Sequence, residues 1–174
     1  MPPSEPPQSR VPHVSRLRHG FTQAQMSPEE APANPTGQHV LLYDGVCGLC
    51  QHTVRWLLRH DPEGRLLFAP QQNPLAAEVF TRHGLDKEQA NSAVLVSNFG
   101  KPEESLTLRS DAILGCLTVL GSRWALLARV ARLVPRALRD ACYRWLARNR
   151  IRLFGNAELC ALPTPAERAR FLGI

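Results

Sequence analysis

Apolar positions along the chain change period several times, and each change marks an element. Val40-Leu41-Leu42-Tyr43 belongs to a short apolar strand from His39 to Tyr43, and from Gly48 to His60 the apolar residues return at helical spacing, with Val54, Trp56, Leu57 and Leu58 toward a core. Asp61-Pro62-Glu63-Gly64 is a turn, and Arg65 to Ala69 is a second strand. Pro74 to His83 predicts a helix with proline in its first turn and Gly84 past its end, the usual pairing of start and stop signals. Ser92 to Ser97 is a Val/Leu strand, residues 98–101 form a turn, and Leu106 to Arg109 completes a hairpin. Ser110 is then expected to cap a helix running to Leu120. The order β-α-β-α-β-β-α implies an α/β fold with a mixed sheet covered on both faces.

The two ends of the chain differ from this middle. Residues 1–37 hold eight of the fifteen prolines and show no apolar period, so they read as a disordered tail, and the fold starts near Gln38. Within the tail, Arg16-Leu17-Arg18-His19 reads as a solvated basic stretch, with a targeting or docking signal as the alternative. Residues 123–152 predict two helices hinged at Val134-Pro135. Leu126, Leu127, Val130 and Leu133, then Leu138, Ala141, Cys142 and Trp145, form stripes expected to pack on the sheet, with the arginines largely outside them. Residues 38–122 thus read as one α/β domain and 123–174 as a basic helical extension packed on it.

Charge sharpens that division. The net charge is +6, yet residues 1–122 carry ten Lys/Arg against twelve Asp/Glu, while residues 123–174 carry eleven against three. Nine arginines in 123–152 face only Asp140. Such a surface offers contacts to an acidic partner or an anionic membrane, whereas no helix-turn-helix, zinc finger or interleaving of aromatic and basic residues supports nucleic acid. No stretch approaches the ~20 apolar residues that span a bilayer, and the N-terminus lacks the apolar run of a secretory signal. The five cysteines are an odd number and lack the dense spacing of a secreted disulfide scaffold. A soluble protein of a reducing compartment, most simply the cytoplasm, is the expectation.

Two of those cysteines carry the chemistry. Asp44-Gly45-Val46-Cys47-Gly48-Leu49-Cys50 links the first strand to the first helix, and residues three apart in a helix's first turn share a face, which lets their sulfurs meet as a reversible disulfide requires. Cys47, at the helix N-terminus, is the expected nucleophile, its pKa brought down from ~8.5 toward the ~3.5–7.5 range of such motifs. Cys50 is expected to be less exposed and to resolve the mixed disulfide. The alternatives are an inert thiol pair or metal ligands. Asp44 either relays a proton for Cys50, opposes a thiolate on Cys47, or only forms the turn with Gly45. His52 lies about 140° around the helix from Cys47 and points elsewhere, and His60 and His83 read as exposed helix-end residues. No second C-x-x-C or C-x-x-H supplies ligands for a structural zinc. Cys116 and Cys142 are expected to be buried on apolar helical faces, and Cys160 to lie in a loop.

A C-x-x-C between first strand and first helix is the thioredoxin-like arrangement, and the residues resemble a narrower group. Asp44-x-x-Cys47-x-x-Cys50, Phe68-Ala69-Pro70, Val94-Leu95-Val96, Arg109-Ser110-Asp111-Ala112, Val134-Pro135 and Tyr143 to Arg150 resemble the DCC family, named for its Asp-Cys-Cys pattern and predicted to be thiol-disulfide oxidoreductases. The resemblance covers about residues 39–160. It implies a thioredoxin-like fold, catalytic roles for Cys47, Cys50 and Asp44, and a cysteine near position 160 that is either packed in its loop or a third redox partner. The cysteines themselves would carry the electrons, so the expectation is no bound cofactor, a disulfide or dithiol substrate, and an external thiol donor. One departure stands out from thioredoxins, which carry a cis-proline before the third strand that shapes the substrate groove: Gln89-Ala90-Asn91-Ser92-Ala93 has none. The competing reading is an adaptor whose arginine-rich helices bind a partner or anionic membrane and whose dithiol is a redox- or metal-sensitive switch.

Overall fold

The computed structural model describes residues 36–155 and 164–173; the expected tail, over residues 1–35, and Cys160 lie outside them. Strands β1 (His39–Tyr43), β2 (Leu66–Pro70), β3 (Val94–Ser97) and β4 (Ser105–Leu108) form one sheet in the order β2-β1-β3-β4. β1 runs parallel to β2, with Leu41 opposite Phe68, and antiparallel to β3, with Leu41 opposite Leu95. β3 and β4 form the antiparallel hairpin. Helices α1 (Gly48–His60), α2 (Pro74–Arg82), α3 (Lys87–Ala90), α4 (Arg109–Leu120), α5 (Ser122–Ala131), α6 (Arg136–Phe154) and α7 (Pro165–Arg168) surround it. This is an α/β thioredoxin-like arrangement.

Side chains alternate across a strand, so each buried strand feeds two cores. Leu41, Tyr43, Leu66, Phe68 and Leu95 meet Val54 and Leu57 of α1 and Ala112 and Cys116 of α4. Val40, Leu42, Leu67, Val94 and Val96 meet Ala76 and Val79 of α2 on the opposite face. Continuous apolar runs in β1 and β3 follow directly from burial on both sides. Cys116 is fully buried, and burial pushes its thiol up to about 12.

Two features escaped the sequence pattern. The four-residue α3 is fixed by a capping box, in which Asp86 accepts from Gln89 N–H while the Gln89 side chain accepts from Asp86 N–H. At the C-terminal end, Phe68 N–H donates to Arg170 O and Leu172 N–H to Phe68 O, laying this stretch parallel to the outer side of β2. Asp61 is also more than a turn residue: it is 2% exposed, accepts from the N–H groups of Arg65 and Leu66, and forms an ion pair with Arg170.

Several expectations are corrected. Ser110 does not cap α4; its hydroxyl donates to Asp140, and α4 begins at Arg109, in left-handed backbone at φ +55°, without a side-chain cap. The hinge at Val134-Pro135 is present, yet the stripes of the C-terminal helices are not packed on the sheet. Leu126, Leu127, Val130, Leu133, Leu138 and Trp145 are exposed, and so is Cys142. α6 packs against α1 and α4 through another face, where Asp140 meets Ser110 and Tyr143 OH accepts from Ala93 N–H at 2.8 Å. Those polar partners, rather than hydrophobicity, choose the buried face. His60 is not a free helix-end group: it stacks on Trp56, edge-on to Trp124. His83 pairs with Glu104 at 2.6 Å.

Candidate active site

β1 is one of the sheet's two inner strands, and its C-terminal end delivers Asp44-Gly45-Val46 to the start of α1. The loop is tied from several sides. Asp44 Oδ1 accepts from Val46 N–H at 3.1 Å, Gln72 Oε1 accepts from Gly45 N–H at 3.2 Å, and Gln51 donates to Gly45 O at 2.8 Å. A side chain at Gly45 would sit 3.0 Å from the Gln72 Oε1 atom, so the loop closes tightly over that residue.

Cys47 is the N-cap of α1, in extended backbone, and its Sγ accepts from Cys50 N–H at 3.4 Å. A sulfur in this place sits against the N–H groups of the first helical turn, which have no intrahelical partner. The order of exposure is the reverse of that expected: Cys47 is 1% exposed, whereas Cys50 is half-buried. The C-terminal end of α6 lies across the helix start. Gly48 N–H donates to Gly155 O at 3.4 Å, and a Cβ on Gly48 would stand 2.5 Å from Phe154 O. Only glycine fits there.

The Cys50 thiol is pushed up to about 12, by burial first and then by its hydrogen bond to Cys47 and the charge of Cys47; Arg150 and the Asp44 N–H act in the opposite direction. The Asp44 carboxylate has partners on both of its oxygens. Oδ2 takes a 2.6 Å ion pair from Arg150 of α6, and Oδ1 accepts from Val46 and Gln72. Arg150 was the residue hidden from sequence reasoning. His52 is exposed on the far side of the helix. Among the described residues no group of three His, Cys, Asp or Glu is placed to hold a metal ion.

Beside Cys50 opens a cavity of about 550 Å³, floored by Leu41, Tyr43 and Val54 and walled by Ile113, Leu114 and Leu146. It is large enough for a small molecule of ordinary size.

The family profile described as DCC1-like thiol-disulfide oxidoreductase matches residues 41–156, from β1 past the end of α6. The chain belongs to that family. It is 30% identical to the uncharacterized protein YuxK of Bacillus subtilis over 147 residues, covering 84% of this chain and 99% of that protein. It is 28% identical over 123 residues to a chloroplastic DCC family protein of Arabidopsis thaliana, covering 71% of this chain and 69% of that one. No solved structure shows a significant match. The matched span of this family member contains Asp44, Cys47, Cys50 and Arg150 alike. Among the described residues no helix is long and apolar enough to cross a membrane.

Proposed function

We propose that the protein is a thiol-disulfide oxidoreductase whose Cys47/Cys50 dithiol cycles with its disulfide. The observation that carries this reading is the contact across the first turn of α1, where Cys50 N–H meets Cys47 Sγ at 3.4 Å next to an apolar cavity. Cys47, as thiolate, attacks a substrate disulfide; a Cys47–substrate S–S bond forms, the substrate's own S–S bond breaks, and one substrate thiolate leaves. It takes up the proton of Cys50. Once Cys47 is in the mixed disulfide, its hydrogen bond and charge no longer hold that proton, and Arg150 and the Asp44 N–H favour the Cys50 thiolate. Cys50 then attacks Cys47 Sγ, the second substrate thiolate leaves and is protonated by solvent, and two electrons have passed to the substrate.

Asp44 is a positioning residue in this scheme, fixing Arg150 beside Cys50. The two sulfurs carry the electrons, so no bound cofactor is needed, and an external dithiol returns the pair to the reduced state. A redox titration with alkylation and mass mapping, on wild type and Cys47→Ser, tests the reading. One Cys47–Cys50 disulfide with a single potential supports it; its absence overturns it.

The outer face of α6 favours a second role alongside the first. Leu138, Cys142, Trp145 and Leu153 follow one another at helical spacing and are exposed, next to the exposed row Arg144, Arg148, Arg152. An apolar row flanked by cations suits a helix lying in an anionic bilayer surface. Sedimentation with anionic vesicles tests it: Arg144→Glu with Arg148→Glu should abolish binding and leave dithiol cycling intact, and equal sedimentation with neutral vesicles sinks it.

A further inference from the structure

We infer that the cavity beside Cys50 is the substrate site of the dithiol, and that its substrate is a neutral, apolar disulfide of low molecular weight rather than a protein disulfide. The inference rests on the dithiol reading above and goes on to name what the dithiol acts on. Its first support is the state of the polar groups that line the cavity. Arg150 is bound to Asp44, Arg139 to Asp111 at 2.6 Å, Ser110 to Asp140, and the Thr53 hydroxyl to Leu49 O at 2.9 Å. These charges and hydroxyls are paired within the fold, and the other hydroxyls of the lining, those of Tyr43 and Tyr143, are neutral, with pKa values raised by burial. A charged ligand would enter an apolar space without a counter-charge set aside for it, and would lose its hydration uncompensated. A neutral apolar ligand meets no such cost.

The second support concerns peptides. A peptide docking beside the dithiol would have to pair with backbone groups at the entrance of β3, and those of Ala93 are taken: its N–H donates to Tyr143 OH at 2.8 Å, and its C=O accepts from Arg109 N–H at 2.9 Å. Cys47 is buried and its partner Cys50 lines the cavity, so a disulfide held there lies within one helical turn of the attacking Cys47 Sγ and not on an open surface. A cavity of about 550 Å³ holds a dialkyl or diaryl disulfide and excludes a folded domain. Its mouth is marked by lining residues that are also exposed, Val134 at 40% and Leu138 at 57%. The net reaction is one protein dithiol plus R–S–S–R giving one Cys47–Cys50 disulfide and two R–SH, with two electrons and two protons passing to the ligand sulfurs. An external dithiol closes the cycle.

Single-turnover oxidation of the reduced full-length chain provides the test, with the Cys47–Cys50 disulfide quantified by mass. Three alkyl disulfides serve as oxidants, each rate divided by the rate of the same reagent with a free small-molecule thiol so that leaving-group differences cancel: di-n-propyl disulfide, cationic cystamine and anionic dithiodiglycolate. Di-n-propyl disulfide should react at least about tenfold faster than either charged reagent, the discrimination that burying one or two methylenes supplies. Its advantage should shrink to about twofold in Leu138→Asn and in Val134→Asn, neutral polar changes at two exposed positions of the mouth. Equal rates for all three oxidants in wild type, with the intramolecular disulfide still formed, overturn the substrate assignment and leave the dithiol reading standing. Failure of every oxidant to give that disulfide overturns both.

Discussion

Arg150 and Asp44, separated by 106 positions in sequence, are joined by a 2.6 Å ion pair that ties the last helical turns of α6 to the loop before Cys47. Both side chains are largely buried, and the charge of the guanidinium favours a thiolate at Cys50. The pair therefore joins stability to sulfur chemistry. Arg150→Met should remove that influence, slow resolution of the mixed disulfide, and lower stability by about 2 kcal/mol, the scale of a lost charge-assisted hydrogen bond with its partner left behind. Stopped-flow kinetics of a preformed Cys47 mixed disulfide, alongside thermal unfolding, measures both effects. Asp44→Asn should slow resolution too, by releasing Arg150; an unchanged rate would reduce Asp44 to its turn.

Cys50 should resist alkylation. Its thiol is held up to about 12, so labelling by iodoacetamide should be slow at pH 7 to 9 and still rise above that range, while exposed Cys142 labels first. Mass mapping of each cysteine across a pH series reads this directly. Rapid labelling of Cys50 at neutral pH would contradict the burial and the Cys47 hydrogen bond together.

Gly48→Ala tests how Cys47 is covered. The added Cβ would press on Phe154 O from 2.5 Å, so the end of α6 must shift, at about 1–3 kcal/mol typical of an overpacked contact. Cys47 should then alkylate faster than in wild type. No change in its rate would mean that other atoms do the covering.

Arg170→Ala should cost about 3–5 kcal/mol, because it strands the buried Asp61 carboxylate without its cation. Thermal unfolding should drop by roughly 10 °C. A shift of only a degree or two would show that the N–H groups of Arg65 and Leu66 suffice.

Glu104 should govern part of the acid limb of stability. Burial pushes its carboxyl up, yet the Gly100 N–H, His83 and Arg82 together outweigh it and hold the pKa below the ordinary 4.5. A depressed carboxylate pKa stabilises the fold above the unfolded value and loses that contribution as pH falls through the folded one. Wild type should therefore lose stability below about pH 4.5, and Glu104→Gln should be less stable at pH 7 with a flatter acid limb. Urea unfolding at pH 3, 5 and 7 checks both.

The sheet and the C-x-x-C were legible in the sequence for a local reason: β1, β2 and β3 are buried on both faces and read as unbroken apolar runs, and Cys47 follows one of them at a helix start. The Asp86-x-x-Gln89 box would have revealed α3 had its spacing been weighed. The role of Arg150 at the site gave no comparable signal, since one arginine among six in a basic helix looks like its neighbours until the fold sets it beside Asp44. Periodicity misled in α6 because that helix has two apolar faces. The one chosen by pattern, through Leu138, Cys142 and Trp145, faces outward, while the one bearing Asp140, Tyr143 and Arg150 is fixed inward by partners in α4, β3's entrance and the β1 loop.

The strip around Phe171 has a consequence for how copies of this chain meet. Arg170 O and Leu172 N–H consume hydrogen-bonding groups of Phe68 that would otherwise face outward from β2, so that border of the sheet is already occupied by residues 170–172. Among the described strands only β4 then presents an unpaired border, and it is only four residues long. Cutting the chain before Arg170 would uncover a five-residue, fully apolar border at β2 and offer it to a neighbour's strand. The last few residues thus act as a guard against self-association, and a truncated chain should be recovered as aggregates rather than as a merely less stable monomer.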